Sequence, residues 1–200
     1  MAAGQDPLEY RLKLLGDENR RYEVPGLQAP KGHSMDLSRI GNVIRKVRKL
    51  SQWDKDRGPG RGLGLGIHHS FRSYVAAVLD VTVRDNDYVV NEAFVVLDCG
   101  TFINPNTCVG QMEGAVVFGL SLAKIGKITL EPGQVVQGNF DDYPVLRYRD
   151  CPSIQVELVE SNELPAGVGE PGVPPIAPAL ANAIYAASGK RIRNLPIKLT

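Results

Sequence analysis

Leu37, Ile40, Val43, Ile44, Val47 and Leu50 recur at the i, i+3, i+4, i+7 spacing of an amphipathic helix. That helix is expected to start at Asp36, with Arg39, Arg45, Lys46, Arg48 and Lys49 elsewhere on its surface. A shorter helix through Leu8, Leu12 and Leu15 is predicted upstream. Asp6 would cap it, and Pro7 would take the first position, where a missing N–H costs nothing. Residues 16–34 are polar and carry Pro25, Gly26, Pro30 and Gly32, and read as a loop or linker.

From Ser73 the period changes to two. Ser73 to Val83 and Tyr88 to Cys99 read as strands of a hairpin turning at Asp85-Asn86-Asp87, and residues 98–106 then break into a loop. Val109 to Ala123 reads as a helix despite Gly110, Gly114 and Gly119. Each interior glycine costs roughly 1 kcal/mol relative to alanine. Three of them predict that a strand or a ligand approaches this helix closely. Ile125–Leu130 and Gln134–Phe140 are expected to pair around Glu131-Pro132-Gly133, and Ile154 to Val159 to form a further strand. The order α, α, β-hairpin, α, β-hairpin, β, loop, α predicts an α+β fold: an antiparallel or mixed sheet of hairpins with packed helices. Residues 1–59 read as a helical segment with a linker, and 60–200 as the α+β domain.

Composition narrows the function classes. A hydrophobic content of 43% suffices for a core. A net charge of +1 supplies no global attraction to nucleic acid or anionic lipid. The basic helical face has no aromatic platform beside it and reads as solvated, so no nucleic-acid partner is expected. No apolar run reaches the ~20 residues of a membrane span. The N-terminus lacks the charged and apolar regions of a signal peptide, so the cytoplasm is the default expectation, with the periplasm open through a signal on a partner chain. Cys99, Cys108 and Cys151 show no C-x-x-C spacing. They argue against structural zinc, an iron–sulfur cluster held here or a disulfide framework, and are expected as reduced buried thiols. His68 and His69 point to opposite faces of a strand and are read as structural rather than as joint metal ligands. Gly60-Arg-Gly-Leu-Gly-Leu-Gly66 is only superficially a phosphate cradle. A strand-like run follows it rather than a helix, so it reads as a strand entry.

The candidate chemistry lies near the end of the chain. Residues 164–178 hold five prolines, three glycines and a single carboxylate, Glu170. Prolines fix φ and glycines permit close backbone approach, so the segment is expected to be a rigid, irregular loop. A carboxylate fixed among apolar groups would be poorly solvated and suited to proton abstraction. Pro178 is expected at the first position of an alanine-rich helix that stops at Gly189.

Three stretches together resemble the molybdenum hydroxylase family, which includes xanthine dehydrogenase, aldehyde oxidase and the large subunit of isoquinoline 1-oxidoreductase-type enzymes. They are Asp98-Cys-Gly-Thr-Phe-Ile-Asn-Pro-Asn106 with Gly110-Gln-Met-Glu-Gly114 and Phe118-Gly119; Gly138-Asn-Phe-Asp-Asp-Tyr-Pro-Val-Leu-Arg147; and Gly167-Val-Gly-Glu-Pro171. The resemblance implies part of a molybdopterin-binding domain and oxidative hydroxylation of an N-heteroaromatic or aldehyde carbon, with water as the oxygen source. It implies Glu170 as the catalytic base. Gln111 and the backbone of Gly167, Val168 and Gly169 would lie against a molybdenum-bearing molybdopterin, in its cytosine dinucleotide form. It further implies a small-molecule substrate, an upstream molybdopterin-binding half and an iron–sulfur subunit as partners, with the clusters on the partner chain. The alternative is a non-catalytic fragment or assembly module that pairs with a molybdenum-binding chain.

Overall fold

The computed structural model describes residues 3–16, 21–22 and 34–199, so most of the predicted 16–34 linker lies outside the described residues. Helix α1 (Pro7–Leu15) begins as the sequence predicts: Asp6 Oδ1 accepts from the N–H groups of Leu8 and Glu9 at 2.9 and 3.0 Å. Two short strands, β1 (Arg21–Tyr22) and β2 (Met35–Asp36), pair antiparallel. Asp36 then caps α2 (Leu37–Leu50), accepting from Ser38 N–H at 2.9 Å. Three long strands follow: β3 (Arg61–Ser70), β4 (Ser73–Arg84) and β5 (Asp87–Asp98). Next come α3 (Pro105–Lys124), a two-residue ladder of β6 (Leu130–Glu131) and β7 (Gln134–Val135), and a 3-10 turn at Tyr148–Asp150. The last elements are β8 (Ser153–Leu158) and α4 (Ile176–Ser188).

The main sheet has the order β3-β4-β5-β8, antiparallel except for the parallel β5–β8 pair. Mixed α+β architecture is therefore what forms. Helices cover both faces of β4. Tyr74, Ala76 and Val78 pack with Val43, Ile44 and Val47 of α2 and Leu8 of α1. Val75, Ala77 and Leu79 pack with Met112, Val116 and Leu120 of α3 and Leu180 and Ile184 of α4. This is why Ser73 to Val81 is buried without interruption. Each fully buried Leu or Ile contributes about 1.5–3 kcal/mol.

Three basic residues of α2 are tied into the fold. Arg39 binds Asp98 through two bonds of 2.9 and 2.6 Å. Lys46 reaches Glu157 at 2.6 Å, and Arg48 engages Glu9 and Asp54. Asp80, fully buried, accepts from Arg61 at 2.6 and 2.8 Å and from Asn91 at 2.9 Å. A buried carboxylate requires such partners.

The glycine-rich run is a packing seat as well as a strand entry. A Cβ at Gly62, Gly64 or Gly66 would lie 2.5, 2.1 or 2.0 Å from the backbone of Ala187, Ala179 or Pro175. Alternate glycines on one face of β3 thus let α4 lie directly on the strand. His69 stacks on its cross-strand partner Tyr74 with ring centroids 4.4 Å apart. Burial lowers the pKa of His68. Among the described residues no cluster of His, Cys, Asp or Glu could hold a metal ion, and all three cysteines are free. Cys99 and Cys108 are buried, and burial, with Cys108 beside it, pushes the Cys99 thiol up to about 11. Among the described residues no helix is long and apolar enough to cross a membrane.

Two expectations need correction. The second hairpin shrinks to two residues per strand, because Ile128, Leu130, Val135 and Val136 are exposed and no layer covers them. Helix α4 starts at Ile176 after Pro175, which places Pro178 third rather than first. Its missing N–H still removes no intrahelical bond, because the first four N–H groups of a helix have no partner within it. The stop at Gly189 stands: its φ of +73° is left-handed, and its N–H donates to Tyr185 O at 2.8 Å.

Candidate active site

Residues 159–175 lead from β8 to α4 across one end of the sheet. Val159 N–H donates to Leu97 O at 2.8 Å, Thr101 N–H to Glu163 O at 2.8 Å and Ala166 N–H to Cys99 O at 2.9 Å. The approach is close enough that a Cβ on Gly100 would come within 2.2 Å of Leu164 O, and Gly100 also has a left-handed φ of +70°. Only glycine meets both demands cheaply. On the other side the loop meets the β3–β4 turn. Gly167 N–H donates to Phe71 O at 3.1 Å, Ser73 Oγ donates to Gly167 O at 2.6 Å, and Arg72 Nη2 donates to Pro165 O at 2.9 Å.

Past Glu170 the chain is fixed again. Val173 N–H donates to Glu170 O at 2.9 Å. Pro171 and Gly172 are buried, and a Cβ on Gly172 would sit 2.8 Å from Ala115 Cβ and 2.9 Å from Met112 Sδ. The loop that carries Glu170 therefore rests on the middle of α3, the helix that carries Gln111. Asn104 accepts from Thr107 N–H at 3.2 Å and starts that helix at Pro105, four residues before the predicted Val109.

The side chains stand differently from expectation. Glu170 is exposed, as are Gln111, Gly167 and Gly169, while Val168 is half-buried against the core. The sequence predicts a poorly solvated carboxylate. The apolar groups around it, Pro171, Gly172 and Val173, turn inward and leave Glu170 facing out. Of the three glycines of α3, Gly119 is approached closely: a Cβ there would meet Ile176 at 2.6 Å. Gly110 and Gly114 face open space. Sequence reading passed over Phe71 and Arg72, and gave Ser73 no role beyond opening a strand. Their only signal was a two-residue gap between strands that lacked the usual turn residues.

These features form one wall of a candidate site. Glu170 has a backbone fixed on both sides, and open glycines on α3 and in the loop leave room for a bound group beside Gln111. A cavity of about 540 Å³ lies near the opposite end of the sheet, around Tyr88, Lys124 and Arg149.

Residues 45–152, more than half of the chain, match the family model of the molybdopterin cofactor-binding domain. The chain belongs to the molybdenum hydroxylase family. The matched region includes Gln111 and ends before the Glu170 loop. This family member is 32% identical to the isoquinoline 1-oxidoreductase subunit beta of Brevundimonas diminuta, over 96% of its own length and 23% of the relative. It is 31% identical to the membrane-bound aldehyde dehydrogenase (pyrroloquinoline-quinone) of Gluconacetobacter polyoxogenes, over 97% of itself and 25% of that protein. Among solved structures, quinoline 2-oxidoreductase from Pseudomonas putida 86 shares the fold with a TM-score of 0.54 and 24% identity. That likeness covers 62% of this chain and 17% of the other. The chain thus spans about a quarter of the length of the first two relatives.

Proposed function

We propose that this chain supplies the glutamate-bearing wall of a molybdenum hydroxylase site, with Glu170 as the base. The observation that carries the reading is the mounting of Glu170: its loop is bonded to Phe71 and Ser73 upstream and seated on Met112 and Ala115 downstream. A molybdenum-bearing molybdopterin, in its cytosine dinucleotide form, would lie along Gln111, Gly167, Val168 and Gly169. When bound it supplies the two-electron oxidation that this chain's own side chains do not. Glu170 takes the proton released as water becomes the oxygen source. The fixed loop would hold the carboxylate toward an N-heteroaromatic or aldehyde carbon. Iron–sulfur clusters on a partner subunit would accept the electrons.

The match to the molybdopterin domain favours this cofactor over the quinone in one relative's name. In the enzyme assembled from this chain and the remaining three-quarters of a relative's length, Glu170→Gln is expected to cut turnover by roughly 10²–10⁴. Molybdenum content should stay intact. Undiminished turnover in that variant would sink the assignment.

The exposed apolar surface favours a second reading, a non-catalytic module that only pairs with a molybdenum-binding chain. Phe118, Leu130, Phe140 and Tyr148 are 54%, 75%, 81% and 96% exposed. Such patches mark interfaces. Both readings therefore predict a partner. Stoichiometric molybdenum and pterin in the complex purified from its host, together with loss of turnover in Glu170→Gln, separates the enzyme from the module.

A further inference from the structure

The tip of the β3–β4 hairpin is the least expected element around Glu170. Ser70 pairs with Ser73, so Phe71 and Arg72 alone make the turn. Both have left-handed backbones, with φ of +50° and +64°. Asn and Gly adopt that conformation readily in two-residue hairpins, whereas a bulky residue there is an outlier. Strain of this kind persists where surrounding structure fixes it, and it clusters at functional sites. Burial does not explain Phe71, which is 60% exposed.

What the tip does is grip the glutamate loop. Phe71 O, Arg72 Nη2 and Ser73 Oγ bond to Gly167 N–H, Pro165 O and Gly167 O at 3.1, 2.9 and 2.6 Å. The Phe71 side chain also covers Gly167 so closely that a Cβ there would lie 2.7 Å from Phe71 Cβ. Three consecutive residues thus hold Pro165 and Gly167. Glu170 follows three positions later, within about 11 Å along even a fully extended chain.

We propose that Phe71 and Ser73 are positioning residues for Glu170, with the hairpin tip clamping residues 165–167 so that the carboxylate is presented in one place. This rests on the reading of Glu170 as the base. The left-handed turn makes a clean test, because Phe71→Gly suits that backbone better than phenylalanine and removes only the side chain that covers Gly167. In the 200-residue chain, Phe71→Gly should leave the melting temperature equal or higher while amide hydrogen exchange at residues 166–170 speeds at least tenfold. Ser73→Ala should speed the same amides, and Phe71→Tyr should restore slow exchange. In the assembled enzyme, Phe71→Gly should lower kcat at least tenfold with KM and molybdenum content unchanged. Exchange at the wild-type rate in both Phe71→Gly and Ser73→Ala overturns the clamp, whatever the activity. Faster exchange with unchanged kcat overturns the positioning role. Failure of the underlying reading appears separately, as an active Glu170→Gln enzyme in which the clamp still shows in exchange.

Discussion

Two sets of glycines sit within one small fold and meet opposite surroundings. Gly62, Gly64 and Gly66 on β3 are pressed against the backbone of α4, with no room for a methyl group. Gly110 and Gly114, four residues apart on α3, have nothing within 4 Å of where a Cβ would be. The first set belongs to an interior that this chain completes by itself. The second lies on the helix that also carries exposed Gln111 and Phe118, in a chain that covers 23% of one relative and 25% of another. A glycine in a helix costs stability unless something uses the space it leaves. One side of the molecule is thus closed, and the other is left open in this chain.

The closed side should break first when its space is filled. Gly64→Ala places a Cβ 2.1 Å from Ala179 O, which is backbone and cannot swing aside. We expect a loss of about 3 kcal/mol or more, read as a lower denaturation midpoint. A loss below about 1 kcal/mol would mean that α4 does not rest on β3 as described.

Alkaline titration sharpens the same contrast with a smaller effect. Tyr88 is 8% exposed in the core under α3 and α4. Burial, with the charge of Asp87, raises its phenol from 10.0 to about 12. Because the folded value is the higher one, this contribution is fully present below pH 10.0 and is lost as pH rises through about 12. The span corresponds to about 2–3 kcal/mol. Tyr88→Phe should flatten the alkaline fall in stability by about that amount. An unchanged profile would show that the core admits water around this ring.

The sequence carried what burial periodicity encodes and lost what depends on a second surface. The α2 stripe, the long hairpin and the Asp6 and Gly189 caps were legible, because each follows from side-chain spacing or local backbone chemistry. The rigid loop around Glu170 was legible for the same reason: prolines and glycines announce irregular backbone wherever they occur. The β3 glycines were not legible as a seat for α4. Alternating glycine says that a face is empty, and only the arrival of Pro175–Ala187 shows what fills it. The second hairpin was over-read, since Leu130 and Val135 have strand propensity but no layer to bury them. The exposure of Glu170 was missed because shielding is a property of whatever faces the loop, and sequence spacing within the loop has no information about that. Phe71 and Arg72 were passed over because their left-handed turn contradicts the local preferences on which sequence reading relies.

The open side gives the smallest effect and the most direct test, because its sign reverses. Replacing Gly110 and Gly114 by alanine meets no steric obstacle in this chain and removes two flexible residues from the interior of α3. Each change should stabilise the isolated chain by up to about 1 kcal/mol. The same methyl groups would stand in the path of whatever packs against that face. The double variant should therefore melt higher alone, and bind more weakly to a polypeptide comprising the rest of a molybdenum hydroxylase large subunit or retain less molybdopterin with it. Stabilisation without any loss of assembly or cofactor would mean that the glycines of α3 serve neither. The boundary between the closed and open sides would then have to be drawn at Phe118 and the exposed residues after it.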